Sequence, residues 1–67
     1  MNKSLLTPRE WEVLGLLAEG HTVASIGEKL VIDSTTVQVY VRSLHAKFGV
    51  KSSTHVVATA LRLGMIT

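Results

Sequence analysis

Helix start and stop signals recur at short intervals along this chain, and they restrict it to short helices joined by tight turns. The first start signal is the densest: Thr7 can cap a helix, Pro8 suits the first helical position, and Glu10 stands at the capping-box position. Apolar residues follow at helical spacing. Gly20 then ends the segment, because glycine adopts the left-handed conformation without steric cost. The sequence therefore predicts a first helix between Thr7 and Gly20.

Two further segments carry similar signals. Thr22 can cap a second, short helix, whose inner face has the spacing i, i+3, i+4, i+7 and consists of Val23, Ile26, Gly27 and Leu30. Gly27 has no side chain and would let another helix approach closely. Ser52 can cap a fourth helix, which we expect to run to about Leu63 and to be closed by Gly64.

The third segment carries two conflicting patterns. Residues 36–41 alternate apolar and β-branched side chains at period two, which indicates a strand. A longer apolar register is helical and ends at Gly49; it comprises Val37, Val41, Leu44 and Phe48. Asp33 is a good cap for that helix. Packing overrides single-residue propensity, and no other segment reads as a strand that could pair with this one. We therefore predict a helix from about Ser34 to Phe48 and an all-α, four-helix bundle.

The length of 67 residues allows one small domain, with its core over about residues 5–66. No cysteine is present, so neither a disulfide framework nor a thiolate metal site can support the small core. The apolar runs are far shorter than the roughly 20 residues that a membrane span needs, and no signal peptide is visible. We therefore expect a cytoplasmic protein that makes no membrane contact.

Charge is distributed unevenly along the chain. Residues 1–33 hold all five acidic residues and three basic ones, a net charge of −2. Residues 34–67 hold four basic residues and no acidic one. A half-chain that is only basic suits a polyanionic partner, although a solvated basic surface would have the same composition.

Neither catalysis nor a cofactor is predicted. The three histidines, His21, His45 and His55, lack the i, i+4 spacing of a ligand pair, and no acidic residue in the C-terminal half could complete a metal site. No spacing suggests a nucleophile with its base, and no glycine-rich phosphate loop occurs. We expect a binding domain without a metal rather than an enzyme.

The second and third predicted helices are separated only by residues 31–33, which is typical of a helix-turn-helix. The third helix should then present Gln38, Val39 and Arg42 outward. Arg42 could donate two hydrogen bonds to guanine, Gln38 could pair with adenine, and Val39 could contact a thymine methyl group. The simpler alternative is that all three are ordinary solvated side chains.

Other polar residues could hold the DNA backbone. Free N–H groups at helix starts attract phosphate, and the basic residues near the end of the third helix could reach it. The candidates for backbone contact are Thr22, Ser34, Thr35, Thr36, Lys47 and Lys51. A capping role for the hydroxyl residues and a solubilising role for the lysines are the alternatives.

Several motifs occur together at a characteristic spacing over nearly the whole chain. They are Leu6-Thr7-Pro8-Arg9-Glu10, Glu12-Val13-Leu14, Leu17-Ala18-Glu19-Gly20, Thr36-Val37 and Leu44-His45-Ala46-Lys47-Phe48-Gly49-Val50. As a set they resemble the LuxR-type (GerE-like) helix-turn-helix domain of bacterial transcription regulators. The resemblance implies a four-helix domain that binds double-stranded DNA with its third helix in the major groove. It assigns base readout to Gln38, Val39 and Arg42, and treats Lys47 as a lysine typical of the family.

The resemblance also implies partners. Dimerisation would use the fourth helix, with the candidate residues His55, Ala58, Thr59 and Arg62, and RNA polymerase is a further candidate partner. The chain would be the effector domain of a bacterial regulator such as a response regulator, or a stand-alone regulator of this size.

Several positions depart from the family pattern. Gln38 and Tyr40 stand where members usually have lysine and histidine, and Ser53 replaces the usual arginine. The segment Val23-Ala24-Ser25-Ile26-Gly27 replaces the family's Asn-Lys-Glu-Ile-Ala. These changes remove charge and polar groups from the expected DNA side. The alternative hypothesis is therefore a degenerate helix-turn-helix that acts as a protein-interaction module.

Overall fold

The fold consists of four helices joined by short turns. The computed structural model describes residues 5–67. The helices are α1 (Pro8–Ala18), α2 (Val23–Leu30), α3 (Ser34–Phe48) and α4 (Ser53–Arg62), and the described residues contain no strand. The all-α prediction is therefore confirmed. The third segment, whose two patterns conflicted, is a helix with the predicted bounds.

Side-chain caps start three of the four helices as expected. At α1 the Glu10 amide donates to the Thr7 hydroxyl at 3.2 Å and the Thr7 amide donates to the Glu10 carboxylate at 2.8 Å, which completes a capping box. The hydroxyl of Thr22 caps α2, and that of Ser52 caps α4. Satisfying these amide groups fixes where each helix begins.

Asp33 differs from the prediction of a side-chain cap. It occupies the N-cap position of α3 with an extended backbone, but its carboxylate makes no capping hydrogen bond. The exposed carboxylate can still stabilise the helix start through its charge, because the N-terminal end of a helix carries partial positive charge. The first amide groups of α3 consequently lack a side-chain partner from Asp33.

The helix ends lie close to the predicted ones. Gly20 and Gly49 have φ values of 93° and 68°, the left-handed conformation that glycine accepts. The fourth helix ends at Arg62, one residue before the expected Leu63, which is its C-cap. Such one-residue shifts are common at helix ends.

The other three helices all pack against α3, and the core lies between them and α3. Three of the four residues in the predicted helical register, Val37, Val41 and Leu44, are buried, and Phe48 is partly buried against them. The complete buried apolar set is Leu6, Val13, Leu14, Ile26, Val37, Val41, Leu44, Val56 and Ala60. Burial of one face of α3 leaves its opposite face to solvent.

Gly27 permits a close approach between α2 and the turn that follows it. A Cβ atom at this position would lie 2.8 Å from the carbonyl oxygen of Ile32 and 3.6 Å from the amide nitrogen of Ser34. The amide of Ile32 donates to the carbonyl of Gly27 at 2.9 Å. The glycine does permit a close approach, but by the turn backbone and not by another helix as predicted, since the nearest atoms of α3 lie at 3.6 and 3.7 Å.

None of the helices within residues 5–67 combines the length and the apolar character needed to span a bilayer.

Candidate nucleic-acid interface

The turn between α2 and α3 consists of Val31, Ile32 and Asp33. Val31 adopts the left-handed conformation with φ 57° and is 87% exposed, so its side chain contributes almost nothing to the core. The backbone reversal at Val31 brings the start of α3 against α2. This arrangement of two short helices and a tight turn is a helix-turn-helix.

The outward face of α3 carries the three predicted base-reading residues. Gln38 and Arg42 are exposed and stand one turn apart on one stripe, and Val39 is 58% exposed beside them. Within the described part of the chain, neither the Arg42 guanidinium nor the Gln38 amide makes a side-chain hydrogen bond or an ion pair. Their donors and acceptors are therefore available to a ligand.

The start of α3 offers further polar groups. Ser34, Thr35 and Thr36 occupy its first turn and are exposed. The first amide of α3 to donate within the helix ladder is that of Val37, which donates to the carbonyl of Asp33 at 3.0 Å. The amide groups before it point out of the helix end, as at every helix start. Thr22, in contrast, already uses its hydroxyl oxygen to cap α2.

Lys47 lies in a different environment from the one expected of a phosphate-binding lysine. Its ammonium donates to the Oε1 atom of Glu10 at 2.7 Å and is partly covered. Glu10 is only 3% exposed, and its other oxygen accepts a hydrogen bond from the hydroxyl of Ser43. The structure thus brings together one residue of α1 and two of α3. A phosphate contact by Lys47 stays a prediction.

The surroundings of Glu10 shift its pKa to about 2 from the ordinary value of 4.5. Burial alone raises the pKa of this carboxyl group, because it disfavours the charged form. Hydrogen bonds from Lys47, Ser43 and the Thr7 backbone, together with the positive charge of Lys47, outweigh that effect. Glu10 is consequently an anion throughout the neutral pH range.

The sequence predicts only half of the role of Glu10. Its capping function was visible from the spacing to Thr7, but its ion pair spans 37 positions of sequence and needs the packing of α1 on α3. One local signal was available: Ser43 and Lys47 stand at i, i+4 on α3, so both can face the same neighbour.

The other predicted residues are dispersed along the surface. Lys51 is exposed in the turn between α3 and α4 and makes no ion pair within residues 5–67. The four candidate dimerisation residues form one stripe of α4 at the spacing i, i+3, i+4, i+7. Thr59 is half-buried and the other three are exposed; the stripe consists of His55, Ala58, Thr59 and Arg62.

The histidines do not form a common site. The Nδ1 atom of His21 is hydrogen-bonded to Ser25 at 2.7 Å, and the Nε2 atom of His45 lies 3.4 Å from the Ser53 hydroxyl. Over residues 5–67 no three His, Asp or Glu side chains come together as a metal site would require.

The sequence matches the family described as "Bacterial regulatory proteins, luxR family" over residues 4–60. The chain belongs to the LuxR family. The predicted resemblance is thereby confirmed, and with it the assignment to DNA-binding domains of bacterial transcription regulation. The match includes all of α1, α2 and α3.

Two similar LuxR-type proteins are named HTH-type transcriptional regulator MalT. One is from Yersinia pestis (strain Pestoides F) and the other from Yersinia enterocolitica serotype O:8 / biotype 1B. Each is 40% identical over 60 residues, which are 90% of this chain. The chain spans only about 7% of the length of either relative, so the likeness concerns a small part of them.

Proposed function

We propose that this LuxR-type domain binds DNA in a sequence-specific manner by placing α3 in the major groove. Gln38 and Arg42 hydrogen-bond to base edges, and Val39 contacts a thymine methyl group. The observation that supports this assignment is the exposed stripe of Gln38 and Arg42, which has no partner within residues 5–67 and lies on a helix whose opposite face is packed in the core.

Backbone contacts precede base readout in this proposal. Exposed hydroxyl and basic residues near the helix starts anchor the domain to phosphates without reading sequence; they are Thr22, Ser34, Thr35, Thr36 and Lys51. The sixth predicted residue, Lys47, has its ammonium 2.7 Å from the buried carboxylate of Glu10. A phosphate would have to compete with that anion for it.

We further propose that two copies associate on DNA through the α4 stripe of His55, Ala58, Thr59 and Arg62. Two copies related in this way would place their third helices in successive major grooves, about 10 base pairs apart. The domain would serve as the effector of a cytoplasmic regulator, such as a response regulator, and RNA polymerase would be its further partner on the promoter.

Selection of bound duplexes from a random-sequence pool tests the proposal. We expect a recurrent half-site, present twice at about one helical repeat, and binding that weakens steeply with salt. Recovery of unrelated sequences with no preference would contradict sequence-specific binding. A single half-site without a repeat would contradict only the dimer.

A second candidate function is that of a protein-interaction module. The exposure of Val39 and Leu61, together with the uncharged Gln38 at a position where the family usually has lysine, favours it. A salt titration with a mixed-sequence duplex separates the two candidates. The absence of binding even at low salt would favour the interaction module.

A further inference from the structure

Glu10 connects the start of α1 to the second half of α3 through directional contacts. Its Oε1 atom accepts from the Thr7 amide at 2.8 Å and from the Lys47 ammonium at 2.7 Å, and its Oε2 atom accepts from the Ser43 hydroxyl. A carboxylate that is 3% exposed requires such donors, because an unpaired buried anion is strongly unfavourable. The buried carboxylate therefore favours the arrangement of α1 and α3 that supplies these donors.

Ser43 and Lys47 stand one turn apart on the same helix as the proposed base readers. Successive helical residues are rotated by about 100° around the axis, so the direction of Ser43 determines the direction of its neighbour Arg42. Apolar contacts hold α3 against the core but are not directional. Hydrogen bonds at two points one turn apart oppose both rotation and sliding of α3 along α1.

We propose that Glu10, Ser43 and Lys47 form a positioning cluster that sets the rotation of α3 about its axis and so aims Gln38 and Arg42 at base edges. Lys47 serves this cluster rather than a phosphate. The inference rests on the proposed DNA-binding function and adds to it three residues that do not touch the bases.

Substitution of Lys47 by alanine separates its two possible roles. If Lys47 bound phosphate in the wild-type chain, Lys47→Ala would weaken binding to every duplex by the same factor and make the salt slope shallower by about 0.9. In a positioning cluster, Lys47→Ala and Glu10→Gln each remove one partner of the ion pair and loosen α3, so discrimination between duplexes falls. Ser43→Ala has no effect on charge and also removes a contact of the cluster, so it tests positioning alone.

The chain offers a matched control for charge. Glu12 lies on the same helix two residues after Glu10, and its side chain is 53% exposed in a pair with Arg9 at 3.7 Å. Glu12→Gln removes the same charge from α1 without touching the cluster. It should change the affinities for specific and mixed duplexes by the same factor.

The experiment measures the affinities of the 67-residue chain and these variants for two duplexes over a series of salt concentrations. One duplex is recovered by selection from a random pool and the other is a mixed sequence of the same length. Urea titrations at several temperatures first identify a temperature at which every variant is folded. We expect Glu10→Gln and Ser43→Ala to reduce the ratio of specific to mixed affinity by about fivefold or more, the equivalent of weakening one bidentate base contact, and Lys47→Ala to leave the salt slope unchanged.

Two outcomes would overturn the inference alone. A loss of affinity in Lys47→Ala that is equal for both duplexes, with a salt slope shallower by about 0.9, would assign Lys47 to a phosphate. A wild-type affinity ratio in both cluster variants would show that α3 is aimed without them. A wild-type chain that binds neither duplex would overturn the proposed function and this inference with it.

Discussion

At the scale of single residues, the carboxylate of Glu10 combines two tasks that are usually separate. It closes the capping box of α1 and it is the anion of an ion pair with α3. Exposed ion pairs contribute little to stability, but a buried anion that loses its partners is destabilising by several kcal/mol. Protonation of this single carboxyl group should therefore be visible in the stability of the whole chain.

We predict that the free energy of unfolding falls by about 3 kcal/mol as the pH is lowered from about 4.5 to about 2, through Glu10 alone. The pKa of Glu10 is lower in the folded state than its ordinary value, so its contribution is fully present above pH 4.5 and is lost as the pH falls through the folded pKa. Urea titrations across this range measure it. Glu10→Gln should lack this component whereas Glu12→Gln retains it, and equal pH slopes in all three proteins would contradict the assignment.

Val31 is a second residue with a specific energetic consequence. A left-handed conformation is unfavourable for a β-branched residue by roughly 1–2 kcal/mol, and the 87% exposure means that little burial offsets this cost. Val31→Gly should raise the free energy of unfolding by about 0.5–1 kcal/mol, since the greater freedom of glycine in the unfolded chain offsets part of the gain.

Val39 provides the matched control for Val31. It is an exposed valine in the regular interior of α3, where glycine is a poor helix former. Val39→Gly should lower the free energy of unfolding by about 0.5 kcal/mol in the same urea titration. Destabilisation by both substitutions would mean that the turn imposes no strain on Val31.

At the scale of helices, the contact between α2 and the following turn depends on the missing side chain of Gly27. We predict that Gly27→Ala lowers the free energy of unfolding by about 1–3 kcal/mol, because the new methyl group would meet the Ile32 carbonyl at 2.8 Å and the backbone must shift. Thermal unfolding measures the effect.

Gly15 is the control for this prediction because a Cβ atom there meets nothing within 4 Å. Gly15→Ala lies in the interior of α1 and should raise the free energy of unfolding by up to about 1 kcal/mol. If Gly27→Ala were equally stabilising, the close approach to the turn would have no energetic weight.

The helices show which features of a fold can be predicted from sequence. The caps of α1, α2 and α4 and the glycine that ends α3 are local signals, and they located the helices to within a residue or two. The strand-like alternation of residues 36–41 does not form a strand, because the longer helical register places Val37 and Leu44 in the core. The ion pair of Lys47 could not be predicted, since it arises only when α1 packs on α3.

At the scale of the whole molecule, the packing of the helices determines which charges of the basic half remain unpaired. One basic charge of the second half, that of Lys47, is neutralised by the buried Glu10 of the first. Arg42, Lys51 and Arg62 keep their charges without an ion pair among the described residues. Of the four basic charges of the second half, these three are therefore the ones that are free to attract a polyanion.

We predict that Arg42→Ala and Lys51→Ala weaken DNA binding in different ways. Arg42→Ala should reduce the affinity for a selected duplex by about 1–3 kcal/mol more than that for a mixed sequence, because it removes a base contact. Lys51→Ala should weaken both equally and reduce the salt slope by about 0.9. Fluorescence anisotropy at several salt concentrations measures both effects, and equal losses on the two duplexes in both variants would contradict these roles.

The close fit of Gly27 against the Ile32 carbonyl also determines how this domain can be controlled. The Ile32 amide donates to the Gly27 carbonyl and ties the turn to the end of α2, which opposes an opening of the angle between α2 and α3. We therefore expect the two helices to move together. Regulation of such a domain would operate by covering or uncovering this helix pair, or by changing the separation between two such pairs, and not by bending a hinge inside it.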